Sequence, residues 1–187
     1  MSSDRGLDLV NLARQSIKSY ISDTPLDIEL SAKYSEKTGV FVTLHLDDEL
    51  RGCVGFVEPV YSLYDGIKKA AVAAATQDPR FPSVTIEELQ KCQIEVSILS
   101  EPKLIEVKDY NEYFEKIQIG KDGLLIQGKF GSGLLLPIVA VEWKWGPKNF
   151  LDNLCIKAGL PSDAWHDLNN KVYKFQTEVY SEGKTNK

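Results

Sequence analysis

The sequence predicts an α+β fold: an antiparallel sheet with flanking helices. Two observations carry that expectation. Apolar residues alternate along two runs on either side of Asp47-Asp48-Glu49, the pattern of a β-hairpin. Helical-period and strand-period segments are mixed elsewhere without a βαβ rhythm. No internal repeat or linker-like stretch stands out, so residues 1–187 are expected to form a single domain.

The elements follow in order. Leu7, Val10, Leu12, Ala13, Ile17, Tyr20 and Ile21 recur at helical spacing, predicting an amphipathic helix over the first ~20 residues, with Pro25 as a stop. Residues 24–39 read as a loop. Val40, Val42, Leu44 and Leu46 form the first strand of the hairpin, and Leu50, Gly52, Val54 and Phe56 the second, ended by Pro59. Residues 61–77 are helical, with an alanine-rich face that permits close approach to a neighbour; Asp78-Pro79 stops them. Arg80-Phe81-Pro82 is an extended loop and residues 85–90 a short helix. Cys92, Ile94, Val96 and Ile98 alternate as a half-buried strand. Residues 109–116 read as a short helix. Leu124-Leu125-Ile126 and Leu134-Leu135-Leu136 are short strands among glycines. The stretch from Pro137 to Trp143 has no clear period. A helix runs from Pro147 to about Ala158, with Pro147 in its first turn and Gly159 as its stop. Val172 to Tyr180 reads as one last strand, and Gly183 to Lys187 as a fraying tail.

Composition narrows the function classes. The chain has 43% hydrophobic and 26% charged residues and a formal charge of −5. That excludes disordered and collagen-like chains, and makes non-specific binding to phosphate backbones a poor fit. The three cysteines, Cys53, Cys92 and Cys155, are widely spaced and contain no CxxC, so reduced thiols in a cytoplasm are expected rather than a disulfide framework. Met1 to Tyr20 lacks the apolar core of a signal peptide, and the longest apolar runs are too short to span a bilayer. The two histidines, His45 and His166, belong to no metal-ligand motif, and neither a GxGxxG turn nor a Walker motif is present. No metal or cofactor is therefore expected.

The hairpin carries the most informative inference. With residues 47–49 as its loop, Leu46 would face Leu50, His45 would face Arg51 and Thr43 would face Cys53. Alternation then puts Val42, Leu44, Leu46, Leu50, Val54 and Phe56 on the core face, and Thr43, His45, Arg51, Cys53 and Gly55 on the other. A thiol beside a cation favours thiolate, the reactive form. Cys53 is thus a candidate nucleophile and His45 a weaker candidate base, with Arg51 or Arg80 gripping an anionic group. Gly52 and Gly55 would let a ligand come close. A structural reading stands beside this one: strand glycines mark bulges or tight packing, a cysteine is often a small core residue, and Arg51 pairs with an acid of the turn. The loop 78–82 either presents Arg80 to a ligand or stops a helix while Phe81 plugs the core. Glu95 and Ser97 point away from the core face of their strand, towards the Cys53 patch or towards solvent. Trp143, Trp145 and Trp165 either stack on a base or a partner or are core or lid residues, the commoner case. Cys92 and Cys155 sit on apolar faces and are read as core.

The segment Leu50-Arg51-Gly52-Cys53-Val54-Gly55 resembles the LRGCIG motif of the AMMECR family, called AmmeMemoRadiSam system protein A in prokaryotes. Asp78-Pro79-Arg80-Phe81-Pro82 resembles that family's D-x-R-F-P segment, and Ile94 to Leu99 its IEVSVLS strand. Gly133 to Pro137, and Cys155 to Leu160, are similar to its glycine–leucine strand and C-terminal helix. Phe56 departs from the family, standing where many members have threonine. The resemblance implies an α+β fold with a larger and a smaller lobe, and a motif near a cleft between them. It implies a biochemically uncharacterised domain encoded near Memo-type and radical SAM proteins. Two roles compete. One is an enzyme or enzyme component in which Cys53 acts on a small anionic substrate, with Glu95 as candidate acid or base. The other is a non-catalytic adaptor for a partner protein. A nucleic-acid-associated role ranks behind both, because of the acidic charge. The substrate, the partner and the oligomeric state are not fixed by the sequence.

Overall fold

The computed structural model of the chain describes residues 2–182, so the tail expected to fray lies outside the described residues. It has helices and two four-stranded sheets, an α+β architecture. The chain divides into two compact units, Met1–Leu99 with Glu178–Lys187, and Ser100–Thr177.

The first unit begins with α1 (Ser2–Ser22), whose apolar stripe buries Leu9, Val10, Leu12, Ala13 and Ile17. Leu7 and Tyr20, assigned by spacing to that stripe, are instead exposed. β1 (Gly39–Leu46) and β2 (Glu49–Phe56) form the hairpin, followed by α2 (Leu63–Thr76), α3 (Ile86–Leu89) and β3 (Gln93–Leu99). The sheet order is β2-β1-β3-β8, where β8 is Thr177–Ser181. Val40, Val42 and Leu44 of β1 and Ile94, Val96 and Ile98 of β3 share one core cluster with α1 and α2. Each such side chain contributes about 1.5–3 kcal/mol by leaving water. Ser62 caps α2 by accepting from the Asp65 N–H, and Thr85 and Glu88 close a reciprocal capping box on α3. The alanine-rich face of α2 does allow the close approach expected of it. A Cβ on Gly52 would sit 2.2 Å from the Ala74 carbonyl oxygen, and one on Gly66 would sit 2.9 Å from Val40.

The second unit holds β4 (Lys103–Leu104), α4 (Tyr113–Lys116), β5 (Gly123–Gly128), β6 (Gly131–Leu135), α5 (Pro137–Glu142), α6 (Pro147–Lys157) and β7 (Lys171–Phe175). Its sheet order is β4-β7-β5-β6. Phe150, Leu151, Leu154 and Cys155 of α6 pack with Leu124, Ile126, Trp165 and Val172. Gly131 and Gly133 let β6 touch the backbone of Ala158. The Trp165 indole N–H donates to Asp152 at 2.8 Å, so this large ring is both buried and satisfied.

Three expectations are corrected here. The single last strand is two, β7 and β8, which break at Gln176 and belong to different sheets. The unplaced stretch after Pro137 is the short helix α5, entered through Pro137 at its first position. The hairpin loop has two residues rather than three: Asp47 and Asp48, with φ of 53° and 64°. Positive φ at both positions is the geometry whose twist matches the flanking strands, and glycine adopts it with least strain. Relief of the left-handed backbone at Asp48, about 1–2 kcal/mol, exceeds the roughly 0.5–1 kcal/mol of extra chain entropy that glycine loses on folding, so Asp48→Gly is expected to stabilise the protein by about 0.5–1 kcal/mol. The check is a higher urea midpoint with an unchanged slope.

Candidate functional site

The two-residue loop shifts the register near the turn. Leu46 pairs with Glu49 and His45 with Leu50; a bulge then restores the expected pairing, Leu44 with Gly52 and Thr43 with Cys53. The extra residue on β2 relaxes the alternation there. Leu50, expected in the core, is 39% exposed. Arg51 does not face His45 and does not pair with an acid of the turn. Its guanidinium reaches Glu88 through two bonds of 3.2 Å and lies 5.8 Å from the centre of the Phe81 ring. Arg51 is only 8% exposed, and its Nη1 is buried without a hydrogen-bond partner.

Beyond the bulge, one row of side chains crosses the sheet: Cys53 on β2, Thr43 on β1 and Glu95 on β3. The Thr43 hydroxyl donates to Cys53 Sγ at 3.3 Å, and the Ser181 hydroxyl donates to Glu95 at 3.0 Å. The next row is Gly55, Phe41 and Ser97. Gly55 is filled over by the Phe41 ring, which a Cβ there would meet at 2.4 Å. Gly52, one residue before Cys53, faces the other way, against α2. The two glycines of the motif thus make room for the α2 backbone on one face and the Phe41 ring on the other. His45 lies two residues from Thr43, roughly 7 Å along β1, beside Gln93. Ser97 is buried rather than facing solvent.

The loop after α2 supplies the charge. Asp78, 4% exposed, accepts the Cys53 backbone N–H at 2.9 Å, the Arg80 backbone N–H at 3.1 Å, and Arg80 Nε and Nη2 at 2.9 and 2.7 Å. The Arg80 guanidinium holds the Asp78 carboxyl well below the usual carboxylate range; burial opposes this and the two backbone N–H groups reinforce it. Arg80 itself keeps 54% of its side-chain surface open. Phe81 lies within 5.4 Å of Arg80, so its ring serves both guanidinium groups.

Cys53 is the one partly exposed thiol, with Cys92 and Cys155 buried. Burial pushes the Cys53 thiol up; the Thr43 hydrogen bond and Arg80 counter that, while Asp78 and Glu95 add to it. The nearby cation that favours its thiolate is thus Arg80, rather than the Arg51 or His45 that the uninterrupted register would bring. The site thus presents a thiol whose ionisation burial opposes, a hydroxyl, a half-open guanidinium and the carboxyl groups of Asp78 and Glu95. Sequence reasoning missed Asp78 and Glu88. Asp78 was legible only as a helix stop before proline, and Glu88 only as a member of the short helix 85–90; nothing in the spacing tied either to the hairpin. Among the described residues, no three His, Cys, Asp or Glu side chains converge as metal ligands, and no helix is long and apolar enough to cross a membrane.

Comparison with known proteins agrees with the resemblance. The AMMECR1 family profile matches residues 10–180. The chain is 45% identical to protein MJ0810 of Methanocaldococcus jannaschii over 97% of this chain and 92% of that one. It is 46% identical to protein PF1979 of Pyrococcus furiosus over 93% and 86% of the two chains. The crystal structure of the uncharacterized protein PH0010 from Pyrococcus horikoshii superposes with a TM-score of 0.89, at 44% identity, covering 95% of this chain and 91% of that one.

Proposed function

We propose that this chain, which belongs to the AMMECR1 family, binds a small anionic substrate on the polar face of its hairpin, with Cys53 as the group that grips or attacks it. The supporting observation is the Asp78 carboxylate, which ties the Cys53 backbone N–H to the Arg80 guanidinium and so fixes a cation beside the thiol. Nε and Nη2 of Arg80 are spent on Asp78, and the open side of the guanidinium receives the anion. Glu95, in the same row, is the candidate acid or base, separated from Cys53 by the Thr43 hydroxyl. His45, further along β1, is the weaker base. Arg51 serves the site by bracing Glu88 and Phe81 rather than by touching the ligand.

The test is alkylation by iodoacetamide in the folded protein across pH 6–10.5, read at each cysteine by peptide mass spectrometry. Cys53 is expected to react well ahead of Cys92 and Cys155, which are 3% and 0% exposed. Its midpoint is expected above the ~8.5 of an unperturbed thiol, because burial outweighs Arg80. Arg80→Gln should move that midpoint higher still. If Cys53 stays unreactive until the protein unfolds, the thiol reading fails.

A second reading, a docking module for a partner protein, is favoured by one observation. Ile138 and Val141 on α5 and Trp143 just after it are exposed, and Trp143 stacks on Trp145 at 5.9 Å.

A further inference from the structure

We infer that a groove on the helical side of the first unit is a second, independent binding site, for a small planar aromatic anion. The groove is open to solvent and offers about 550 Å³ between the C-terminal half of α1, the end of β2 and the exposed flank of α2. That volume falls in the range of small-molecule sites.

Its walls are chemically sorted. Phe56 and Tyr61 meet edge to face with ring centres 5.0 Å apart, forming an aromatic corner, and Tyr20 and Val72 continue the apolar surface. Lys68 and Lys69 stand at the rim. The lining contains these two cations and no Asp or Glu, although the whole chain carries a formal charge of −5. Neither ammonium is committed to a strong partner. Among the described residues Lys69 makes no ion pair; its Nζ rests 5.1 Å from the centre of the Tyr61 ring. Lys68 Nζ lies 4.7 Å from the centre of the Tyr64 ring and reaches Asp65 only at 3.9 Å; the ammonium and the carboxylate are exposed, so both contacts cost little to loosen. A flat apolar body would lie against Phe56 and Tyr61 while its anionic group meets the two lysines. Phe56 is also the residue that departs from the family motif, which places the departure on this wall and not on the Cys53 face. None of the groove residues takes part in the Cys53 site, so this inference stands or falls apart from the one above.

The experiment is a fluorescence titration of the folded protein with 1-anilinonaphthalene-8-sulfonate, an aryl sulfonate whose charge sits on a flat naphthalene ring. N-phenyl-1-naphthylamine, which has the same rings without the charge, is the comparison probe. The expected result is saturable binding of one sulfonate per chain, with the neutral amine bound at least tenfold more weakly. The double substitution Lys68→Gln/Lys69→Gln should weaken sulfonate binding at least tenfold with an unchanged circular dichroism melt. Ala73→Trp, which fills the groove, should abolish it, while Cys53→Ser should leave it intact. Equal affinity for the neutral amine, or undiminished binding in the double variant, would overturn the inference. So would loss of binding on Cys53→Ser, which would place the probe on the other face of the sheet.

Discussion

Gly52→Ala is expected to destabilise the protein by about 3 kcal/mol, a larger loss than most single changes cause. The reason is geometric. The new Cβ would lie 2.2 Å from the Ala74 carbonyl oxygen, roughly 1 Å inside ordinary contact. That oxygen belongs to the backbone of α2 and cannot swing aside as a side-chain end would. Relief requires β2 to move off the helix, and the move would pull Val54 and Phe56 from the core they pack against. The substitution also has a favourable part, since alanine gives up less chain entropy than glycine on folding, by about 0.5–1 kcal/mol. The clash must exceed that gain for the prediction to hold. For a chain of this length the net change corresponds to a melting temperature lower by roughly 6–12 °C. Gly146→Ala is the control: nothing lies within 4 Å of its Cβ, and its cost should stay below about 1 kcal/mol. A melt of Gly52→Ala within 2 °C of the parent would show that the sheet can yield, and that close packing is not why the motif needs glycine there.

The same residue shows how far the sequence could be read. Alternation correctly separated Val42 and Leu44 from Thr43 and Cys53, because a half-buried strand writes its two faces into period two. The alanine-rich run in α2 foretold a close neighbour, and the neighbour is Gly52. Nothing in the pattern disclosed the bulge, since a one-residue slip leaves the local composition unchanged while moving every side chain beyond it. Arg51 and Leu50 were misplaced for that reason alone. The last strand was read as continuous because β7 and β8 share one alternating apolar pattern across Gln176, and sheet membership is a long-range property. Asp78 was the deepest omission. Its four hydrogen bonds reach β2 and its own loop, and a partner 25 residues away in sequence leaves no periodic trace.

Asp78→Asn tests that omission most severely. The amide keeps the shape but loses the charge, and its NH2 turns a donor towards a place now crowded with the Arg80 and Cys53 N–H donors. A buried donor facing donors costs about 1–3 kcal/mol, and the lost carboxylate adds less than a sealed ion pair would, because Arg80 is half open to solvent. The total expected at pH 7 is about 2 kcal/mol in urea unfolding. The pH dependence then identifies the charge. Asp78 has its carboxyl held below the ordinary value in the folded protein, so its stabilisation is fully present above pH ~4 and is lost as pH falls through the folded value. The gap between parent and variant should therefore be constant from pH 7 to 5 and narrow below 4. Other lowered carboxyls, such as Glu88, titrate in both proteins and cancel in the difference. A gap independent of pH would mean that the misplaced amide donor, and not the lost charge, accounts for the cost. Arg80→Gln separates its two partners. Alone it should cost less than about 1 kcal/mol, being an exposed pair member. If Asp78 acts mainly by holding Arg80, the double variant will be clearly less destabilised than the sum of the singles. If the two costs add, the Cys53 backbone N–H is the bond that matters, and Asp78 is then a clamp on the hairpin at the thiol rather than the seat of its cation.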